Sequence, residues 1–138
     1  MPSLGYRSLS QAAIIEEINR ETLLIPIIET EAGLANIEAI AAVEGIDTLH
    51  IGANDLSIEL GVTGQLTHPR MRQAYASVAA AAKAHGQSMG VGGARNNPQF
   101  QIELLRLGVR YLTCGTDVGY VVGGGRADIA AIRAMPLQ

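Results

Sequence analysis

Short apolar runs and amphipathic stretches take turns along this chain, and the exchange recurs four times. Residues 9–20 place Ile14, Ile15 and Ile18 on one side of a helix that Ser8 or Ser10 can cap. Leu23–Ile28 reads as a strand, weakened by Pro26, which removes one ladder donor. Thr30 caps a helix to about Val43, with Leu34, Ile37, Ile40 and Ala41 at helical spacing. Thr48–Ile51 is a short strand, followed by the loop Gly52–Ser57 and a turn of helix near Ile58. A Gly/Thr-rich loop, Gly61–His68, leads to Pro69 at a first helical position, and that helix ends at His85 and Gly86. Ser88–Val91 is the third strand. Asn97 caps a helix to Leu107, Gly108 stops it, and Val109–Cys114 is the fourth strand. After Gly115–Gly125 a last helix is predicted from about Ala127 to Met135.

A helix followed by four βα units means a parallel sheet with right-handed crossovers. The strands are continuous apolar runs, as expected of strands buried on both faces. Two architectures compete: a small open doubly wound sheet, or half of a (β/α)8 barrel, which needs about 250 residues when complete. The 138 residues are expected to form a single domain with a core. No Gly-x-Gly-x-x-Gly follows the first strand, so a dinucleotide site is a poor reading.

Composition removes other classes. The net charge is −3 and the basic residues are scattered, so no stripe for nucleic acid is visible. No apolar run approaches the ~20 residues of a membrane span. The opening Met-Pro-Ser-Leu-Gly-Tyr-Arg-Ser lacks the apolar core of a signal peptide. Cys114 is the one cysteine, so no intrachain disulfide exists, which fits a reducing cytoplasm. It reads as an inert core thiol.

The candidate chemistry lies in two acids, Glu29 in Leu-Ile-Pro-Ile-Ile-Glu-Thr and Asp55 in His-Ile-Gly-Ala-Asn-Asp-Leu-Ser. Each stands where an apolar run gives way to a loop and then a helix. In parallel α/β folds the carboxyl ends of the strands converge on one face, and that face carries ligands. The acids are 26 residues apart, close to one βα repeat, and so belong to neighbouring strand ends. At about 5 Å and an effective dielectric of about 20, two carboxylates repel by roughly 3 kcal/mol. Either one is protonated or a cation lies between them; the cation is the favoured reading. The competing reading is charge pairing with helix N-termini, Glu29 before the Thr30 helix and Asp55 as a cap.

Residues 28–47, Ile-Glu-Thr-Glu-Ala-Gly-Leu-Ala-Asn-Ile-Glu-Ala-Ile-Ala-Ala-Val-Glu-Gly-Ile-Asp, followed by Ile-Gly-Ala-Asn-Asp-Leu-Ser at 51–57, closely resemble the class II pyruvate-dependent aldolases of the hydroxy-oxo-heptanedioate aldolase/citrate lyase family. The loop Gly61–Pro69, the strand at Met89–Gly93, Gly115-Thr-Asp117 and the opening Pro-Ser-Leu-Gly-Tyr-Arg-Ser are similar to that family too. The resemblance implies the C-terminal half of a (β/α)8 TIM barrel, strands five to eight with their helices, the N-terminal half being absent. It implies that Glu29 and Asp55 hold a divalent cation, Mg²⁺ or Mn²⁺ with Co²⁺ a further candidate. It implies that the backbone amides of Asn54 and Asp55, next to Ala53, receive the carboxylate of a 2-oxo acid such as pyruvate. Hard oxygen ligands with open positions suit such cations, and consecutive N–H groups opening a helix suit an anion. The implied activity is carbon–carbon lysis through a metal-stabilised enolate. Its alternatives are a non-catalytic metal-binding module that functions only by assembly and, within enzymes, a citrate-lyase-like acyl-CoA lyase.

Two departures from the family pattern matter. Ile27 stands where the family commonly has a substrate-contacting glutamine, and the family's catalytic histidine and substrate-binding arginine belong to the first four strands. No catalytic residue is therefore assigned in this half, and the chain alone is expected to be a poor catalyst. A homo-oligomer or a complementary N-terminal half is the expected partner.

Other polar residues have plainer readings. His50 is read as a core or sheet-packing residue, His68 and His85 as helix-end residues, and Asp117 as a cap. Gly123-Gly124-Gly125-Arg126 reads as a flexible turn into the last helix, with a phosphate cradle as the alternative. Arg7 could meet an anionic partner.

Overall fold

The computed structural model describes Gly5, residues 8–95 and residues 97–136. Arg7 and most of the opening segment lie outside the described residues. Eleven elements follow one another: α1 (Gln11–Glu21), β1 (Ile27–Ile28), α2 (Glu31–Ala35), α3 (Ile37–Ala41), β2 (Thr48–Ile51), α4 (Ala53–Glu59), α5 (Pro69–Ala84), β3 (Ser88–Val91), α6 (Pro98–Leu107), β4 (Val109–Leu112) and α7 (Asp117–Arg133). The strands form one parallel sheet in the order β1-β2-β3-β4. A doubly wound sheet reverses its strand order to cover both faces with helices. Here the order never reverses, so right-handed crossovers carry the helices to one face only. This is barrel topology.

The register divides the two faces. Ile28, Ile51, Val91 and Leu112 form one row, and Leu49, Met89 and Val109 belong to the same face. That face packs on α5 through Met71, Ala74, Tyr75, Val78, Ala81 and Ala82, and on α6 through Phe100 and Leu104, all buried. The row Ile27, His50, Gly90 and Tyr111 points the other way, into what would be the barrel interior. Ile27 and Tyr111 are exposed there. Leu49 has no accessible surface, so Leu49→Ala costs about 2–5 kcal/mol.

Local chemistry explains the helix ends. Ser10, Thr30 and Asn97 each accept a bond from the amide three residues on, from Ala13, Gly33 and Phe100 at 3.3, 3.0 and 3.0 Å. His68 caps α5 through Nδ1, which accepts from the Arg70 amide at 3.2 Å, and Pro69 follows it. Gly86 and Gly108 leave α5 and α6 with φ of 71° and 104°, a region that costs glycine nothing.

Several expectations need correction. The first strand shrinks to two residues, because Pro26 has no N–H and the Leu24 amide donates instead to Asp47 Oδ2 at 2.7 Å. The helix from Thr30 is broken at Asn36, whose Nδ2 donates to the Ala32 carbonyl at 2.8 Å. Residues expected as the Gly52–Ser57 loop are helical from Ala53 onward. The triglycine run is neither turn nor phosphate cradle: it lies inside α7, which Thr116 caps by accepting from the Gly119 amide at 3.1 Å. Cys114 is exposed, not a core thiol. No helix among the described residues is long and apolar enough to cross a membrane.

Candidate functional site

Glu29 follows β1 and Gly52 follows β2, and the two strands are paired through Ile28 and Ile51. The Gly52 amide donates to the Ile28 carbonyl at 3.2 Å, holding the strand ends level. Counting by twos from Ile27 puts Glu29 on the open face. Its carboxylate lies over Gly52: a Cβ there would stand 3.0 Å from Glu29 Oε2 and 3.2 Å from Ile27 Cγ2.

Gly52 is also the N-cap of α4 and offers no side chain to its first turn. The first amides of α4 (Ala53, Asn54, Asp55) therefore have no intrahelical acceptor. Asp55 is third in this helix, so it is not the cap that the charge-pairing reading made it. Asp55 and Glu29 line one shallow cavity of about 210 Å³ with Thr30, Ile58 and Glu59. Among the described residues, neither carboxylate takes part in a hydrogen bond or ion pair with a protein group at usual distances. The structure thus brings the two acids to one place and leaves their oxygens free. Asn54 is exposed, and its side-chain amide reaches toward Gly93. Ala53 is buried. No group of three or more His, Cys, Asp or Glu side chains placed to hold one metal ion is found among the described residues; Glu59 is the third acid on the cavity wall. A larger cavity of about 630 Å³ lies at the amino ends of β3 and β4, beside Lys83, Gln87, Arg106 and Arg110, far from either acid in the topology.

Two residues missed in the sequence support this rim. Ser57, with no accessible surface, donates to the Asn54 carbonyl at 2.6 Å and accepts from the Gly64 amide at 2.9 Å. It ties the Asn54–Asp55 turn to the following loop, a task that a serine two residues past an acid can signal. Arg70, from the start of α5, donates to the Leu60 carbonyl and lies 3.5 Å from Glu31. Nothing in its sequence position marks that bond.

The histidines fall as their plainer readings expected, whereas Asp117 is not the cap it was read as: Thr116 caps α7 and Asp117 is the first residue inside it. His68 caps α5, and His85 ends it with Nε2 3.5 Å from Glu38. Asp117 sits in the first turn of α7, where its Oδ1 accepts from the Val118 amide at 2.8 Å. His50 is buried in the sheet at 7 % exposure, its ring 5.1 Å from that of Tyr111. Burial holds its pKa below the ordinary 6.5. Its Nδ1 is sealed without a hydrogen-bond partner.

A one-faced parallel sheet whose strand order never reverses, with two free acids at its carboxyl rim, defines an α/β chain of barrel type. The family is then specific: the model described as HpcH/HpaI aldolase/citrate lyase matches residues 4–122, and the chain belongs to that family. It is 37% identical over 118 residues to the 4-hydroxy-4-methyl-2-oxoglutarate aldolase cghB of Chaetomium globosum, covering 84% of this chain and 44% of that protein. It is 33% identical over 141 residues to the 4-hydroxy-4-methyl-2-oxoglutarate aldolase tasA of Hapsidospora irregularis, covering 99% of this chain and 52% of that protein. The crystal structure of an HpcH/HpaI aldolase from Desulfitobacterium hafniense DCB-2 matches with a TM-score of 0.77 at 27% identity, over 96% of this chain and 51% of that one. The chain spans about half the length of the curated relatives it matches.

Proposed function

We propose that this chain supplies the metal-holding half of a divalent-metal-dependent carbon–carbon lyase acting on 2-oxo acids such as pyruvate. The observation that carries the reading is the pair Glu29 and Asp55, brought from two strand ends to one cavity with their carboxylates free. The donor set fits Mg²⁺ or Mn²⁺: two hard oxygen ligands on an open rim leave positions for waters and substrate. When bound, such a cation supplies Lewis acidity where negative charge develops as the carbon–carbon bond breaks or forms. The chain's own share is binding and orientation. Glu29 and Asp55 fix the charge, and the Asn54 and Asp55 amides, next to the buried Ala53, receive the substrate carboxylate. α4 has only seven residues, so the individual N–H groups, not a long helix dipole, hold the anion. Ile27 offers an apolar wall.

We assign residues 1–138 to one domain, barrel strands five to eight, acting as a homo-oligomer or with a complementary half in the cytoplasm. Two relatives are named as aldolases of 4-hydroxy-4-methyl-2-oxoglutarate, itself a 2-oxo acid, which supports this substrate class. A reading as a metal-binding module without catalysis is separated by one experiment. Pyruvate methyl-proton exchange is followed by NMR in D₂O with Mg²⁺ or Mn²⁺. Metal-dependent exchange, slow for this chain and lost in Asp55→Asn, is expected. Metal binding with no exchange above the buffer rate would favour the non-catalytic module.

A further inference from the structure

On the open face, one row below Glu29, the sheet has been cleared around a single side chain. His50 is in register with Ile27 on one side and Gly90 on the other, and Gly90 faces Tyr111. A Cβ at Gly90 would stand 2.8 Å from His50 Nδ1 and 2.2 Å from the Tyr111 ring. A Cβ at Gly92 would stand 3.2 Å from His50 Nε2 and 3.2 Å from Thr113 Oγ1. Two glycines on β3 and its exit thus make a slot for the imidazole, and Tyr111 closes its far side. A histidine serving only to fill the sheet needs no such slot, and its buried polar atoms should be paired.

The two ring nitrogens differ. Nδ1 is sealed and meets no hydrogen-bond partner, whereas Nε2 is not among the sealed atoms. An N–H at Nδ1, packed beside Gly90, would have no acceptor, so the proton belongs on Nε2. Nε2 lies over Gly92 while the Glu29 carboxylate lies over Gly52. Those residues end adjacent strands, joined by the bond from the Gly92 amide to the Ile51 carbonyl at 2.9 Å, and adjacent strands are about 4.8 Å apart. A three-carbon acid held at the Glu29–Asp55 rim is therefore within reach of Nε2.

We propose that His50 is a substrate-binding residue, its Nε2–H donating a hydrogen bond to an oxygen of the 2-oxo acid held beside Glu29 and Asp55. This rests on the reading of that rim as a 2-oxo acid site. It gives the row a polar contact from β2 where Ile27, on β1, has none. Burial keeps the imidazole neutral near pH 7, so the contact is a donor without a fixed charge.

The test is calorimetric titration of pyruvate into the Mn²⁺-loaded protein, with Mn²⁺ titrations alongside. His50→Phe, which keeps a ring in the slot, is expected to weaken pyruvate about tenfold and leave Mn²⁺ affinity unchanged. His50→Gln, which keeps a donor, is expected to recover most of the loss. Pyruvate affinity unchanged in His50→Phe overturns the proposal. If the variants do not fold, imidazole NMR of the wild-type protein with Mg²⁺ decides: the His50 signals must move on adding pyruvate while those of His68 and His85 stay, and an unmoved His50 overturns the proposal. Failure of the wild-type, metal-loaded protein to bind pyruvate overturns the 2-oxo acid reading itself, and this proposal with it.

Discussion

Gly52 gives up its side chain to the carboxylate of Glu29: a Cβ there would lie 3.0 Å from Oε2 and 3.1 Å from the Glu29 Cβ. The Gly52 φ is −77°, a value open to any residue. The glycine thus makes room for the neighbouring acid and is not there to relieve backbone strain. Gly52→Ala is expected to push Glu29 off its position and weaken Mn²⁺ binding about tenfold while changing stability by about 1 kcal/mol or less. Calorimetry with Mn²⁺ and thermal melts check both halves; unchanged affinity would show that Glu29 is not held there.

Ser57 joins the acid-bearing turn to the loop that follows. Ser57→Ala removes a donor to the Asn54 carbonyl and an acceptor for the Gly64 amide in a fully buried site. A loss of about 1–3 kcal/mol in urea unfolding is expected. An unaltered midpoint would mean that the turn is held by other contacts.

His50 makes stability depend on pH. Burial lowers its folded pKa below 6.5, the value it regains on unfolding. Below that pH the unfolded chain takes up a proton that the folded chain resists. The stabilisation is thus fully present above pH 6.5 and is lost as the pH falls toward the folded value. The groups facing the ring are Ile27 on β1, Gly90 on β3 and Tyr111 on β4, with Glu29 farther along the same face. The melting temperature is expected to fall more steeply from pH 7 to 5.5 in wild type than in His50→Phe. Parallel curves would contradict it.

Much of this architecture could be read in the residues because punctuation and pattern agreed. Ser10, Thr30 and Asn97 are side-chain caps, Pro69 opens a helix, and Gly86 and Gly108 close two. β2 and β3 match their apolar runs residue for residue. Misreadings arose where local preference lost to context. Asn54 and Asp55 favour turns, yet α4 starts at Ala53 because Gly52 can cap it. Gly123–Gly125 favour a loop, yet the Thr116 cap before them and the helix formers Arg126, Ala127, Ala130 and Ala131 after them accompany a helix that runs through all three, each glycine costing about 1 kcal/mol against alanine. The approach of Glu29 and Asp55 was legible from strand-end placement. The slot around His50 was not, since it depends on which residues of β3 and β4 come level with it.

Edge strands and α7 predict assembly. β1 and β4 each have one ladder partner among the described residues. Along α7, Val118, Val121, Ile129 and Ile132 are exposed. Such edges and apolar surfaces recruit partners. Light scattering at micromolar concentration is expected to show an oligomer, or a monomer that associates with an N-terminal half when one is supplied. A stable monomer that unfolds cooperatively would speak for a closed small domain.

The central claim is that Glu29 and Asp55 together hold a divalent cation. Isothermal titration with Mn²⁺ tests it most directly, comparing wild type with Glu29→Ala and Asp55→Asn. Wild type is expected to bind one ion, and each variant to lose tenfold or more in affinity while keeping its fold by circular dichroism. Wild-type affinity in Glu29→Ala would contradict the claim.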